Sequence, residues 1–333
     1  MSPHPSGSML GLGVVDADLE ARLVAGMASV EVALRDAVRS DYPFVTEASR
    51  HLVDAGGKRF RPLLVLLAAQ FGDPQAPGVV PAAVVVELTH LATLYHDDVM
   101  DEAALRRGAA SANARWDNTV AILTGDFLFA KASDILADLG PDAVRIQAQT
   151  FERLCTGQIR ETVGPGDGLD PVEHHLRVLA DKTGSLIATS GRFGAMMSGA
   201  DPRIVATMTD FGERIGVAFQ LADDIVDITS PSSDSGKTPG TDLREGVLTL
   251  TGLIALRSDD DARLVDLLNR PLEDDDEHAE ALELLRGHAA LEAARGEARR
   301  WADGARDVLG SLPGGAPREA LEALCDYVVT RTG

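Results

Sequence analysis

Residues 79–101 read VVPAAVVVELTHLATLYHDDVMD. The run is apolar from Val79 to Tyr95, with Pro81 near its start and Glu87 and His90 as its interruptions. A membrane span needs ~20 mostly apolar residues, so this segment predicts a buried helix rather than a crossing. It closes on Asp97, Asp98 and Asp101. The C-terminal end of a helix is where its dipole disfavours negative charge. Asp97 and Asp101, four apart, share one helical face, with Asp98 beside them. Three acids at one point repel one another unless a cation neutralises them. Taken alone, the cluster also fits a solvated helix end.

The pattern returns at 219–227, FQLADDIVD, where Asp223, Asp224 and Asp227 follow the apolar run Ile215 to Leu221. Two copies of D-D-x-x-D, each ending a buried helix, are hard to read as surface. Opposed across a cavity they could hold several Mg²⁺ ions, which combine carboxylates, waters and phosphate oxygens. The sequence has no C-x-x-C and no H-E-x-x-H, so no soft-metal site competes. Cations stand where an anionic ligand would need them: Lys58, Arg59 and Arg61 behind Gly56-Gly57, Arg106-Arg107, Lys182 before Thr183-Gly184, and Lys237 in a Gly-Lys-Thr-Pro-Gly loop. Arginine suits multidentate phosphate contacts and lysine acts as a point charge.

The rest of the chain fits a helical enzyme. With 52 acids against 31 bases the net charge is −21, which repels phosphate backbones and excludes general nucleic-acid binding. The chain is rich in Ala, Leu, Val, Arg and Glu, and period-two alternation is absent, which favours helix throughout. Breakers at Gly56-Gly57, Asp73-Pro74, Gly140-Pro141, Gly164-Pro165-Gly166 and Ser230 to Gly240 leave legible helices over 79–104, 118–138, 142–163, 171–199, 203–228 and 246–257. The acidic stretch 258–277 reads as a solvated surface segment. No linker separates two cores, which predicts a disordered segment 1–15 and one all-α domain over 16–333. Cys155 and Cys325 read as two buried free thiols. The start shows no basic region followed by an apolar one, and the expected location is the cytoplasm.

Together these residues resemble the trans-isoprenyl diphosphate synthases, or polyprenyl synthetases. The resemblance covers roughly 45–255. It rests on G-G-K-R-x-R-P at 56–62, H-D-D-x-x-D at 96–101, R-R-G at 106–108, G-D at 125–126, K-T-G at 182–184, F-Q-L-A-D-D-I-x-D at 219–227 and G-K-x-x-G-x-D at 236–242. It implies a helical bundle around a deep central cavity, a homodimer, and a Mg²⁺-dependent condensation of isopentenyl diphosphate with an allylic diphosphate. It implies that Lys58, Arg61 and His90, assisted by Arg107, bind the diphosphate of isopentenyl diphosphate. Asp97, Asp98, Asp101, Asp223, Asp224 and Asp227 would hold Mg²⁺ on the allylic diphosphate, with Arg106, Lys182, Thr183, Gln220 and Lys237 contacting that substrate. One departure is local: Val247 stands where many members carry lysine, and Thr249-Leu250 are followed by Thr251 rather than proline.

Such an enzyme breaks a C–O bond to diphosphate and lets a double bond attack the allylic cation, so it needs no nucleophilic Ser or Cys. In the family, bulky aromatics four and five residues before the first acidic motif form a floor that stops the growing tail. Here those positions are Thr93 and Ala92. Four to five helical residues rise roughly 6–7.5 Å, about one isoprene unit, and the small residues predict an open floor and a product of about six to ten units. The alternatives are a C15 or C20 synthase with its floor on another helix, a terpene cyclase, and a non-catalytic subunit of a heteromeric synthase. The basic groups argue against the cyclase, and two intact acidic motifs argue against the subunit.

Overall fold

In the computed structural model the apolar run 79–101 becomes α4 (Val79–Met100), and every residue from Ala82 to Thr89 is buried. The structure describes residues 16–166, 168–230 and 239–331. The expected disorder of 1–15 and the predicted ligand Lys237 lie outside the described residues. The fold is all-α, as expected. Among the described residues the one sheet is a two-stranded hairpin, Leu105–Arg106 paired with Ala109–Ala110.

The chain forms two compact units. The first holds the described residues up to Phe151, with Leu186–Gly212 and Ser311–Leu321. It contains α1 (Ala17–Ala37), α2 (Pro43–Asp54), α3 (Phe60–Ala69), α4, α5 (Ala112–Arg115) and α6 (Asn118–Leu139), and the start of α7 (Pro141–Val163). In α1 the apolar spacing of three and four puts Leu19, Leu23, Met27, Val30 and Leu34 on one buried stripe. α3 is buried from Pro62 to Ala69, so it serves as a central element rather than an amphipathic one. α4 and α6 approach closely at Gly125, where a Cβ would stand 2.3 Å from His96 Nε2.

The second unit holds Glu152–Ser185, Glu213–Gly310 and the chain from Glu322. It contains the end of α7, α8 (Pro171–Leu179), a π-turn (Ala180–Gly184) that passes straight into α9 (Ser185–Met197), and the end of α10 (Pro202–Thr229). After these come α11 (Thr241–Arg244), α12 (Leu250–Ser258), α13 (Ala262–Leu268), α14 (Asp275–Gly287), α15 (Ala289–Leu309) and the end of α16 (Ala316–Thr330). One core gathers Leu264, Leu267, Leu282 and Leu285 with Ile228 of α10. Another joins Val217, Leu221 and Ile225 of α10 to Leu291, Ala294 and Ala298 of α15.

Three readings are corrected. Cys155, expected to be buried like Cys325, is exposed. The helix expected over 79–104 stops at Met100, because Glu102 takes a left-handed φ of 48° and the hairpin follows. The stretch 258–277 is not simply a solvated segment: it contains α13, whose Leu264, Leu267 and Leu268 are buried. Its acids cap helices, Asp261 accepting from Arg263 N and Leu264 N, and Asp274 from Asp276 N and Glu277 N. α4 is the one described helix long and apolar enough to cross a membrane, but 67% of its apolar window is buried inside the protein.

Candidate active site

The first unit gathers a basic pocket from three sequence segments. The loop before α3 puts Lys58, Arg59 and Arg61 in a row, and the structure gives each a different task. Arg59 adopts a left-handed φ of 49° at the start of α3. Its guanidinium turns inward, donating to Glu31 Oε1 at 2.6 Å, Glu87 Oε1 at 2.8 Å and the Val53 carbonyl at 2.7 Å. Glu87, the acid that interrupts the apolar run, is the buried counter-ion of this pair. Lys58 stays exposed. Arg61 is pulled into the pocket, and its Nε is buried with no hydrogen-bond partner. Burial, reinforced by the nearby Arg107, lowers the Arg61 guanidinium to about 10, so it stays charged at neutral pH.

His90 projects from α4 into the same pocket. Burial holds its imidazole well below the ordinary value of 6.5, and the guanidinium groups of Arg61, Arg107, Arg59 and Arg106 push it further down. Arg107 sits in the turn of the β-hairpin, with φ 53° followed by 77° at Gly108, the pair of positive values that a two-residue hairpin turn requires. Its Nη1 donates to the Leu52 carbonyl at 3.1 Å and also to the Gly56 carbonyl. Gly57 has φ 134°, a conformation that favours glycine, and a Cβ there would lie 2.9 Å from Arg107 Cζ and displace that guanidinium. Left-handed backbone at a non-glycine residue costs about 1–3 kcal/mol, and two of these arginines bear it.

The first acidic motif adjoins the pocket. Asp98 is fully buried, and its Oδ1 accepts from Arg106 Nε at 2.5 Å while Oδ2 has no hydrogen-bond partner. Burial raises the Asp98 carboxyl above its ordinary value, and Arg106 offsets part of that rise. Asp101 is exposed, with Arg106 Nη2 at 3.9 Å. Asp97 is half-buried. Thr93 donates to the His90 carbonyl at 2.8 Å, and Ala92 is fully buried beside α6.

The second unit carries the other predicted residues. Thr183 Oγ1 donates to Gln220 Oε1 at 3.2 Å, and Gln220 Nε2 donates to Asp224 Oδ1 at 3.1 Å. Asp224 is buried, and its Oδ2 has no hydrogen-bond partner and lies 3.5 Å from His175 Nε2. Asp227 accepts from Thr241 N and Asp242 N at 3.3 Å each. Lys182 Nζ pairs with Glu161 Oε2 at 2.5 Å. Asp223 pairs with Arg331 at the end of α16, whose guanidinium lies over the rings of Phe219, at 4.8 Å, and Tyr327.

Among the described residues no three acidic, histidine or cysteine side chains converge on one point. The donor set nevertheless fits a hard divalent cation. Each acidic motif buries a carboxylate whose second oxygen is left without a hydrogen bond, and such oxygens are the ligands those ions take. Sequence reasoning did not find Glu87, Glu161, His175 and Arg331. Glu87 signalled itself as a lone acid in an apolar run; Arg331 gave no signal.

The polyprenyl synthetase family profile matches residues 42–285. The chain is 50% identical over 332 residues, 99% of each chain, to the nonaprenyl diphosphate synthase of Mycobacterium tuberculosis. Its fold superimposes with a TM-score of 0.86 on a geranylgeranyl pyrophosphate synthase of Corynebacterium glutamicum, solved with calcium and isoprenyl diphosphate (49% identity, 96% and 98% of the two chains). It superimposes with a TM-score of 0.87 on a decaprenyl diphosphate synthase of Rhodobacter capsulatus (34% identity, 95% and 99%). By sequence and by fold, the chain belongs to the polyprenyl synthetase family.

Proposed function

We propose that the protein condenses isopentenyl diphosphate with an allylic diphosphate to give a long all-trans polyprenyl diphosphate. The observation that carries this reading is the pocket in which Arg61, Arg106 and Arg107 surround the half-buried His90 and hold its imidazole well below 6.5. So much positive charge under burial, with a buried Arg61 donor unmatched by protein, suits a multivalent anion. Arg61, His90 and Arg107, with Lys58 at the edge, hold the diphosphate of isopentenyl diphosphate. Arg106, Lys182, Thr183 and Gln220 contact the allylic diphosphate, as would Lys237 outside the described residues. Asp97, Asp98 and Asp101 would hold Mg²⁺, as would Asp223, Asp224 and Asp227. When bound, the metal would supply charge neutralisation for the leaving diphosphate.

The chain's own part is binding, orientation and exclusion of water. The cationic side chains stabilise the diphosphate as the C–O bond breaks and the electron pair leaves with it. The second double bond then attacks the allylic carbon, and the departing diphosphate takes the proton. Apolar walls shield the cation from hydrolysis.

Ala92 and Thr93 support a product of about C30–C50, since the residues four and five before the first acidic motif are small. The likeness to the C. glutamicum geranylgeranyl synthase favours a second reading, a C20 product. Incubation with Mg²⁺, labelled isopentenyl diphosphate and C5, C10, C15 or C20 primers tests both. A ladder reaching C30 supports the long-chain reading, a stop at C20 replaces it with the second, and no incorporation refutes both. Calcium and manganese in parallel test the metal, with Mg²⁺ expected to give the fastest turnover.

We further infer one domain over 16–333, supported by the unbroken family match over 42–285. The two free thiols, Cys155 and Cys325, favour the cytoplasm. Exposed Ile122 and Leu123 on α6 favour burial in a homodimer, and Leu123→Glu is expected to shift the mass seen by light scattering from two chains to one.

A further inference from the structure

Lys182 and Thr183 do not sit on a regular helix. They belong to the π-turn Ala180–Gly184 between α8 and α9, and such turns are rare single insertions that need support from outside the helix. One face of α7 provides it. Arg153, Gly157, Arg160 and Glu161 lie at helical spacing, and each meets the π-turn. A Cβ on Gly157 would stand 2.9 Å from Lys182 N, so α7 approaches the turn backbone to backbone. Arg160 pairs with Asp181 Oδ2, and Glu161 takes Lys182 Nζ.

Arg153 has the widest grip. Its Nε donates to Asp181 Oδ1 at 2.9 Å and its Nη2 to the Ala180 carbonyl at 3.1 Å. The same guanidinium forms a two-pronged pair with Glu213 of α10, Nη1 to Oε2 at 2.9 Å and Nη2 to Oε1 at 2.5 Å. Glu213, Gln220 and Asp224 are seven and four residues apart, so they share one face of α10. The arginine therefore ties the π-turn to the helix face that bears Gln220 and Asp224. Thr183 and Gln220 then meet across that junction.

We propose that Arg153 is a positioning residue: it fixes the register of Lys182 and Thr183 against Gln220 and Asp224, and so sets affinity for the allylic diphosphate but not for isopentenyl diphosphate. The proposal rests on the roles given to Lys182 and Thr183 above. Lysine cannot replace the planar fork, because an ammonium is a point charge that cannot bond Asp181, the Ala180 carbonyl and both oxygens of Glu213 in one plane.

The test compares Arg153→Lys, Glu213→Gln and Lys182→Ala by the two substrates' KM values, kcat and thermal midpoint. Displacing a binding group by a fraction of an ångström to an ångström costs roughly tenfold or more. Arg153→Lys and Glu213→Gln are each expected to raise KM for the allylic substrate about tenfold and leave KM for isopentenyl diphosphate within about twofold. The double variant Arg153→Lys/Lys182→Ala should raise the allylic KM by less than the product of the two single effects, because part of the clamp's effect runs through Lys182. If Lys182→Ala raises the allylic KM while neither clamp variant does, the positioning role is wrong and the site assignment stands. If Lys182→Ala itself leaves the allylic KM unchanged, the site assignment fails first. A parallel rise of both KM values with a lower thermal midpoint in Glu213→Gln would reduce Arg153 to a structural residue and overturn the proposal.

Discussion

The two acidic motifs have the same letters and different surroundings. Asp98 is fully buried and is paired with Arg106, eight residues further on in the adjoining hairpin. Asp223 is partly exposed and is paired with Arg331, 108 residues away at the end of the last described helix. Asp224 is held by its helical neighbour Gln220 and faces His175, and Asp227 is held by the first two backbone N–H groups of α11. The first motif brings its counter-charge along in the sequence. The second collects its partners from the tertiary fold. A motif repeated in the primary structure thus need not be a repeated environment, and equivalent substitutions should not have equivalent effects.

The largest effect should be common to both. Asp98→Asn and Asp224→Asn are each expected to lower kcat on the order of 10²–10³-fold, the usual cost of losing one charge-stabilising group. They should part company in stability. Burial raises the Asp98 carboxyl, so ionised Asp98 works against folding, and stability through this group increases as pH falls. Asp98→Asn should therefore melt above the wild type at pH 7, and a lower melting point would contradict that sign. Next in size is the loss of the counter-charges. Arg106→Ala leaves a buried carboxylate unpaired and should cost about 3 kcal/mol in denaturant unfolding. Arg331→Ala leaves a partly exposed one and should cost about 1 kcal/mol or less. Equal losses would break the comparison.

The same distinction explains what could be read from sequence. α4 and the end of α10 are legible as apolar runs, and α6 and α7 as long stretches between breakers such as Gly140-Pro141 and Gly164-Pro165. The basic pocket and the first motif were legible because their parts lie within 56–62 and 90–107. α13 was hidden by composition: Asp259 to Asp261 and Glu273 to Glu277 dominate the stretch, while Leu264, Leu267 and Leu268 keep helical spacing inside it. The row Lys58, Arg59, Arg61 read as one set of cations, yet the left-handed turn at Arg59 sends that residue to Glu31 and Glu87. Arg331, His175 and the clamp at Arg153 depend on contacts far apart in the chain, for which no local pattern exists.

A smaller effect concerns pH. The His90 imidazole is held well below 6.5 by burial and by four arginines. The unfolded chain takes up this proton before the folded one does, so the contribution to stability is complete above pH 6.5 and is lost as pH falls below it. The slope is at most about 1.4 kcal/mol per pH unit. His90→Asn should flatten the stability profile between pH 6.5 and 5, and an unchanged profile would remove His90 as its source. A diphosphate in the pocket should raise the imidazole's affinity for a proton, so isothermal titration of inorganic diphosphate in buffers of different ionisation enthalpy should report proton uptake below pH 6.5.

The smallest effect probes how the remote pairing of the second motif is held. The Arg331 guanidinium lies 4.8 Å from the centroid of the Phe219 ring while it pairs with Asp223. A cation over an aromatic face contributes roughly 0.5–1 kcal/mol at a partly exposed site. Because Phe219 precedes Asp223 by one helical turn, the ring and the carboxylate present one surface to the arginine. A double-mutant cycle of Phe219→Leu and Arg331→Ala should give a coupling of about 0.5 kcal/mol or more in unfolding experiments. Arg106 is held by its ion pairs with Asp98 and Asp101, so the corresponding cycle of Arg106→Ala with Asp101→Asn should couple through charge and weaken with added salt. A Phe219–Arg331 coupling that falls with salt as steeply as the Arg106–Asp101 one would mean that both motifs are held by the same force, and that the difference between them is one of sequence distance only.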